Sequence, residues 1–467
     1  MTDNKYCSVP YVLYKLFICI VLAMAFCSCS DNTETKEKDL YLVGVTGFNY
    51  YESANSFFDF ISESIKELDS DLIKKGLFSL ASPDSIFKKS VRMERYNFTY
   101  RSSDPCGNPI VLSGALLLPD SKDKSVQHQI DNITLYNQYW IDANYAATLL
   151  GTPAMFRAVY NQAVICSDFE GFGVDYGKHH HPFLEYFALA RQSIDCQLAA
   201  MELMDHLGIR LNPDYGTYNM GISKGAPVAM AVQKMLENSE PACVCDRIRL
   251  KSSYCATGPY DLAGLMQDYI ESGESEHLWM LTMLVISTYY SYPDLFEGYE
   301  LEDFFTDELN NGTIEAKGVT YSLCGWIDAG RINNIYLQKR YQELGIVDAH
   351  QVLAPCFFDQ DGKLDTGNVL VSRFLKIWSD NNPSLGWSPC SPILIEHSTY
   401  DNFVVYHLSY QCYLNLLFNS GEMNGNVTEH TFDIKLLKHD RMSGYSMIRI
   451  LLLEDPASQK LINRFEI

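Results

Sequence analysis

The amino-acid sequence predicts an α/β fold: a doubly wound, mostly parallel sheet with a helical cap insertion and an N-terminal helical extension. Three observations predict it. From about residue 130, short apolar β-prone runs alternate with longer amphipathic helical runs, joined by connections long enough for right-handed parallel crossovers. One strand-to-helix junction carries Gly221-Ile222-Ser223-Lys224-Gly225, a serine flanked by glycines at the spacing of a sharp, strained turn. The alternation stops near residue 261, gives way to long helical stretches, and resumes near residue 388. The chain therefore divides into a first core part (91–260), an insertion (261–387) and a second core part (388–467), all preceded by residues 1–90.

Composition sets the bounds. The 467 residues are 47% hydrophobic and 20% charged, with 31 Tyr and 24 Phe, enough apolar material for a core of ordinary size. A formal net charge of −22 argues against nucleic acid as a partner, because phosphates call for a basic face. Of the 14 cysteines, Cys7, Cys19 and Cys27 fall in the N-terminal signal-like segment and Cys29 ends it. The rest are scattered apart from Cys243-Val244-Cys245. No pair of CxxC motifs is present, so no zinc site is expected. A chain of this length needs no disulfide framework, and most of these thiols read as small buried hydrophobes.

Lys5 and Lys15 precede an apolar run over residues 16–26 that is too short for a convincing membrane span. It ends in Phe26-Cys27-Ser28-Cys29-Ser30-Asp31-Asn32, which resembles a bacterial lipoprotein signal. That resemblance implies lipidation of Cys29 as the mature N-terminus, an exported outer-membrane or cell-surface protein (alternatively a periplasmic one), and a membrane partner through the lipid; a plain secretory signal is the alternative. The Ser-Asp-Asn start is similar to surface-export signals of Bacteroidetes lipoproteins. Residues 30–38 read as a polar tether, and residues 40–90 as largely helical, with Phe57, Phe58, Phe60, Ile61, Ile65 and Leu68 near a 3.6-residue period.

Two strands over 91–100 and 110–118 flank Asp104-Pro105-Cys106-Gly107-Asn108-Pro109, whose turn chemistry makes them a hairpin. Strands at 133–136, 163–166, 216–220 and 248–256 then alternate with helices at 146–160, 185–207 and 224–236. The insertion holds helices at 262–270, 278–290 and 328–344 among aromatic-rich connections. After it come a strand at 392–396, a helix at 406–419, a strand at 431–437 and a helix at 444–453.

The glycines around Ser223 are needed because a Cβ at either would meet the neighbouring strand or helix. The turn pushes the serine Oγ clear of the backbone, at a helix N-terminus where backbone N–H groups favour developing negative charge. Such a serine needs a base, and the base an orienting carboxylate. Asp401 follows the strand at 392–396 and His439 follows the strand at 431–437, so both sit on loops at the sheet edge that carries Ser223. Asp401 could equally start the next helix as a cap. His430 precedes its strand and is expected at the opposite edge.

Here the chain resembles the α/β-hydrolases, nearest to the esterase and lipase type that includes secretory lipases. The likeness runs from about residue 91 to the C-terminus. It rests on Ser167-Asp168-Phe169-Glu170-Gly171-Phe172-Gly173, His181-Pro182-Phe183, Ser193-Ile194-Asp195, the Ser223 motif, and Pro392-Ile393-Leu394-Ile395-Glu396-His397 followed by Asp401. It implies Ser223 as nucleophile, His439 as general base and acid, Asp401 as orienting acid, and no cofactor. Main-chain N–H groups of Lys224 and Gln138 would bind the oxyanion, although Asn137-Gln138-Tyr139-Trp140 stands where the family usually has His-Gly. The implied substrate is a carboxylic ester, small or part of a glycan or lipid. A serine peptidase of the same fold and a non-catalytic binding lipoprotein on this scaffold are the alternatives.

Three other features read as structure. His179-His180-His181 is expected in a loop rather than as a metal site, since successive residues point in different directions. Tyr289, Tyr290, Tyr292, Phe304 and Phe305 are expected to serve mainly as core of the insertion. Leu262, Leu265, Met266 and Tyr269 form a core stripe at helical spacing.

Overall fold

The computed structural model describes residues 39–51, 93–119, 129–139, 161–273, 277–311, 313–316, 319–322, 334–419 and 423–452. Its centre is a nine-stranded sheet in the order β1-β2-β3-β6-β5-β8-β9-β12-β13. These strands are β1 (Leu42–Tyr51), β2 (Met93–Ser103), β3 (Pro109–Pro119), β5 (Asn132–Asn137), β6 (Gln162–Ser167), β8 (Thr217–Ile222), β9 (Leu250–Ala256), β12 (Ile393–Ser398) and β13 (Val427–Phe432). A two-residue β4 (Gln129–Ile130) pairs with β7 (Arg210–Leu211) outside it. The β6-β5-β8-β9-β12-β13 half is parallel throughout, and β1, β2 and β3 join antiparallel. Strands β5, β6 and β8 are buried at every position, the pattern of strands covered on both faces.

Helices α1 (Tyr186–His206) and α2 (Gly225–Asn238) pack together on one face, and a short α3 (Ala242–Ile248) leads into β9. Alternation along the strands sorts the remaining helices. Ile393 and Ile395 of β12 join Ala226 and Met230 of α2 and Cys412 and Leu416 of α9 (Tyr406–Phe418) in one apolar cluster. Glu396, one residue out of phase, faces Ser446 and Arg449 of the last helix. That helix therefore covers the other face.

Between β9 and β12 the described chain is mainly helical: α4 (Leu262–Ser272), α5 (Trp279–Ser291), the short α6 (Asp307–Asn310), α7 (Asn334–Leu344) and α8 (Val369–Asp380), with a separate hairpin β10 (Thr313–Ala316) and β11 (Val319–Ser322). Leu262, Leu265, Met266 and Tyr269 are buried, as are Phe304 and Phe305, while Tyr289, Tyr290 and Tyr292 pack partly buried against the same core. Neither the hairpin nor α8 was foreseen. The Trp378 indole of α8 donates to Thr288 Oγ1 of α5 at 2.9 Å, which fixes these two helices to each other.

Several expectations need correction. Leu42–Tyr51 is a strand, not part of a helical extension: Leu-Val-Gly-Val-Thr-Gly-Phe-Asn-Tyr-Tyr is rich in β-branched and aromatic residues and pairs antiparallel with β2. Residues 52–90 of that expectation lie outside the described residues, as do the signal segment with Cys29 and the helix expected at 146–160. The last strand lies at Val427–Phe432 rather than 431–437, because Val427 is the residue buried opposite Ile393 while Leu436 remains exposed. His430 is therefore inside the strand, paired with Glu396. The final helix, α10, spans His439–Leu452, so His439 opens a helix instead of lying in a loop. Of the nine described cysteines, all free, only Cys166, Cys196, Cys255 and Cys412 are buried; Cys106, Cys243 and Cys390 are exposed and do not fit the buried-hydrophobe expectation.

Candidate active site

The junction of β8 and α2 is built on two glycines pressed against backbone. A Cβ on Gly221 would stand 1.9 Å from the Gly225 carbonyl oxygen, and one on Gly225 would stand 2.1 Å from that of Asn137. No side chain fits at either place. Between them Ser223 adopts φ 52°, a left-handed conformation that costs a non-glycine residue about 1–3 kcal/mol and persists only where its surroundings impose it. Here Ser223 N–H donates to the Ala256 carbonyl (2.8 Å) and Ser223 C=O accepts from Ala226 N–H (2.9 Å). The serine ends up at the C-terminal edge of the parallel strands and the N-terminal end of α2.

β12 and α10 bring two partners to that edge. Ser223 Oγ lies 2.9 Å from His439 Nε2, and His439 Nδ1 lies 2.9 Å and 3.1 Å from the two Asp401 carboxylate oxygens. A carboxylate can only accept, so the imidazole Nδ1 carries the proton and donates it. The Nε2 lone pair is then directed at the serine hydroxyl, as removal of its proton requires. The Asp401 side chain has no exposure. Its Oδ1 also accepts from the backbone N–H groups of Phe403 and Val404, each at 2.9 Å. One oxygen thus caps the turn before α9 while the other serves His439. Burial alone would push this carboxyl up, but the His439 imidazole and the donated hydrogen bonds outweigh it and hold Asp401 below the usual carboxylate range.

Behind the acid stands His397, 1% exposed. Its Nε2 donates to the Val404 carbonyl at 3.0 Å and lies 3.6 Å from Asp401 Oδ2. Burial lowers its pKa, so the ring is neutral and Nδ1 is left as a buried acceptor that makes no hydrogen bond. Sequence reading used His397 only as a family marker; its spacing of four from Asp401 was the available signal. The Phe403 ring sits 4.7 Å from the His439 ring and stacks near Trp279 of α5 at 6.0 Å. The insertion therefore touches the loop that carries the acid.

Lys224 caps α2 directly after Ser223, and Gln138 follows β5, whose end is pressed against Gly225. Both expected oxyanion residues thus flank the elbow. Their side chains are buried and engaged. Gln138 Nε2 donates to the Ser167 carbonyl. Lys224 Nζ lies 3.1 Å from His181 Nε2 and 5.1 Å from the centre of the Phe169 ring, and burial lowers its pKa to about 7. His181 Nδ1 donates to the Glu170 carbonyl at 2.8 Å, which leaves Nε2 to accept from the lysine. The three successive histidines take separate partners: His179 meets Asp175 at 2.7 Å, His180 stacks on Tyr290 at 3.8 Å, and His181 meets Lys224. Among the described residues no group of His, Cys, Asp and Glu could hold a metal ion.

A mostly parallel sheet of this strand order, flanked by helices and with a serine on the β8–α2 elbow, is the α/β-hydrolase fold. Solved structures with that fold superpose on most of the chain. The rice cell wall degrading esterase LipA from Xanthomonas oryzae matches with a TM-score of 0.60 at 17% identity, covering 86% of this chain and 94% of that one; a ligand-bound form of it gives 0.61 at 18% over the same shares. A candidate hydrolase from Legionella pneumophila matches at 0.62 and 15% identity, covering 87% and 96%. No family model and no curated relative matches the sequence.

Proposed function

We propose that the protein is a serine hydrolase that cleaves carboxylic esters through an acyl-enzyme on Ser223. The observation that carries this reading is the continuous chain Ser223 Oγ–His439 Nε2 and His439 Nδ1–Asp401, each link at 2.9 Å. In it His439 takes the Ser223 proton as Oγ attacks the ester carbonyl, then returns it to the leaving alcohol. Asp401 holds the imidazole in the required tautomer and balances its charge. The oxyanion is met by main-chain N–H groups of Lys224 and Gln138, at the N-terminal end of α2. Water, activated by the same histidine, releases the acid.

The likeness to a cell-wall-degrading esterase supports an ester of a glycan or lipid as substrate. The N-terminal pattern ending at Cys29 supports a lipid-anchored, exported protein. Phe403, on the loop of Asp401 with its ring 4.7 Å from that of His439, and Trp279 of the insertion, 6.0 Å from Phe403, are the proposed determinants of acyl or alcohol preference. A fluorophosphonate probe tests the chemistry: it is expected to label the wild type and not Ser223→Ala. A p-nitrophenyl ester series of increasing acyl length then reports the pocket. Equal labelling of Ser223→Ala would remove the hydrolase reading, and turnover of peptides alone would replace it with a peptidase.

A further inference from the structure

We infer that the buried Glu396–Arg449 ion pair sets the position of α10 along the sheet and thereby holds His439 at Ser223. The inference rests on the proposed role of His439 and deepens it by naming two positioning residues.

Glu396 stands on β12, on the face covered by α10. Its side chain has no exposure, and that of Arg449 has 2%. Arg449 Nη2 lies 2.8 Å from Glu396 Oε1 and 3.4 Å from His430 Nδ1. The other carboxylate oxygen accepts from Tyr254 of β9 and lies 3.4 Å from Ser446 Oγ of α10. His430 of β13 comes to 3.5 Å of Oε1. The guanidinium is flanked by the rings of Phe432 and Tyr445 at 5.4 Å and 5.9 Å. Three strands and the last helix thus converge on one carboxylate.

Both ends of this clamp lead to the site. Arg449 is on the helix that His439 opens. Glu396 precedes His397, and the same strand delivers Asp401. The buried apolar residues of α10, Met442 and Tyr445, tolerate sliding, since a shift of about 1.5 Å, one residue of rise, keeps apolar surface covered. The polar contacts Ser443 Oγ to Thr257 Oγ1 at 3.3 Å and Tyr254 hydroxyl to the Ser446 carbonyl at 3.4 Å are long, and the ion pair is the closest polar tie at 2.8 Å. The same shift would break a 2.9 Å Ser–His contact, and misplacement of about 1 Å can cost roughly a hundredfold in rate. A buried ion pair is a poor device for stability, since apolar residues of like volume usually serve as well or better. What it supplies is a defined register, and here the register belongs to the base.

The experiment replaces the polar set by apolar residues of similar volume, Tyr254→Phe, Glu396→Leu and Arg449→Met together, alongside the single Arg449→Lys. Thermal unfolding, fluorophosphonate labelling rate, and kcat and KM on a short p-nitrophenyl ester are measured for each. The triple variant is expected to unfold near the wild-type temperature while kcat and labelling rate fall by roughly tenfold to a hundredfold, with KM within about twofold. Arg449→Lys keeps the charge without the planar fork and is expected to lose rate by a smaller factor at unchanged KM. Folded variants that label at the wild-type rate would overturn the inference. If the triple variant fails to fold, Arg449→Lys decides alone, by the same criterion. A wild type that does not label would instead remove the hydrolase reading on which this rests.

Discussion

At the scale of single residues, the site is a set of groups each holding the next. Asp401 illustrates this most fully: one oxygen is spent on the turn, the other on His439, and the neutral His397 closes the loop from behind through the Val404 carbonyl. Asp401→Asn keeps the shape but offers an amide donor where Nδ1–H needs an acceptor. It is expected to lower kcat by roughly ten-thousandfold while fold and KM change little, measured on a short ester by steady-state kinetics. His397→Phe fills the space but removes the donor near Asp401 Oδ2. A loss of roughly tenfold in kcat is expected, with partial recovery in His397→Gln, as one supporting hydrogen bond contributes about 1 kcal/mol. Equal rates for the two variants would show that His397 acts by volume alone.

At the scale of elements, the elbow shows why some of this chemistry could be read from the sequence. Gly221 and Gly225 mark a place where two backbones touch, and the requirement is strict enough to leave a signature in the residue types. Gly225→Ala is expected to destabilise the fold by about 1–3 kcal/mol or more, because its Cβ would meet a carbonyl oxygen that β5 cannot move; the urea midpoint measures it. The parallel strands were equally legible, since burial on both faces leaves nearly continuous apolar runs. The failures fell where that logic stops. β1 is an edge strand with Val43, Val45, Phe48 and Tyr50 largely exposed, so it lacks the alternation that signals a half-buried strand. Ile434, Leu436 and Leu437 imitate a strand, and only tertiary pairing of Val427 with Ile393 decides otherwise. Glu396 and Arg449 did leave a signal, each a charge inside an apolar run, but nothing in the sequence shows that the two meet.

At the scale of the whole molecule, the insertion is tied to the core by buried polar contacts as well as by apolar packing. Glu185, at the start of α1, accepts from the Tyr292 hydroxyl at 3.0 Å just beyond α5, and burial raises its pKa to about 7. A raised carboxyl binds its proton more tightly in the folded state, so the stability it contributes is present below its ordinary pKa near 4.5 and is lost as pH rises through about 7. Glu185→Gln keeps the protonated shape at every pH. Compared with wild type, it is expected to gain up to about 3 kcal/mol between pH 4.5 and 8 by chemical denaturation, and a parallel pH dependence in both proteins would refute the assignment.

The pairing of β9 with β12, where Ser253 lies opposite Ile393, has a consequence in time. All of the intervening chain must be closed into a loop before those two strands can meet, and such long-range pairings form late. The strands around Ser223 are complete in the chain well before β12, β13 and α10 have been synthesised. The serine is therefore made first and stays without its histidine until β12, β13 and α10 dock on the sheet. The contact of Ser223 with His439 arrives only with the completed fold, so on the proposed mechanism a chain that stops short of α10 carries the elbow without its base.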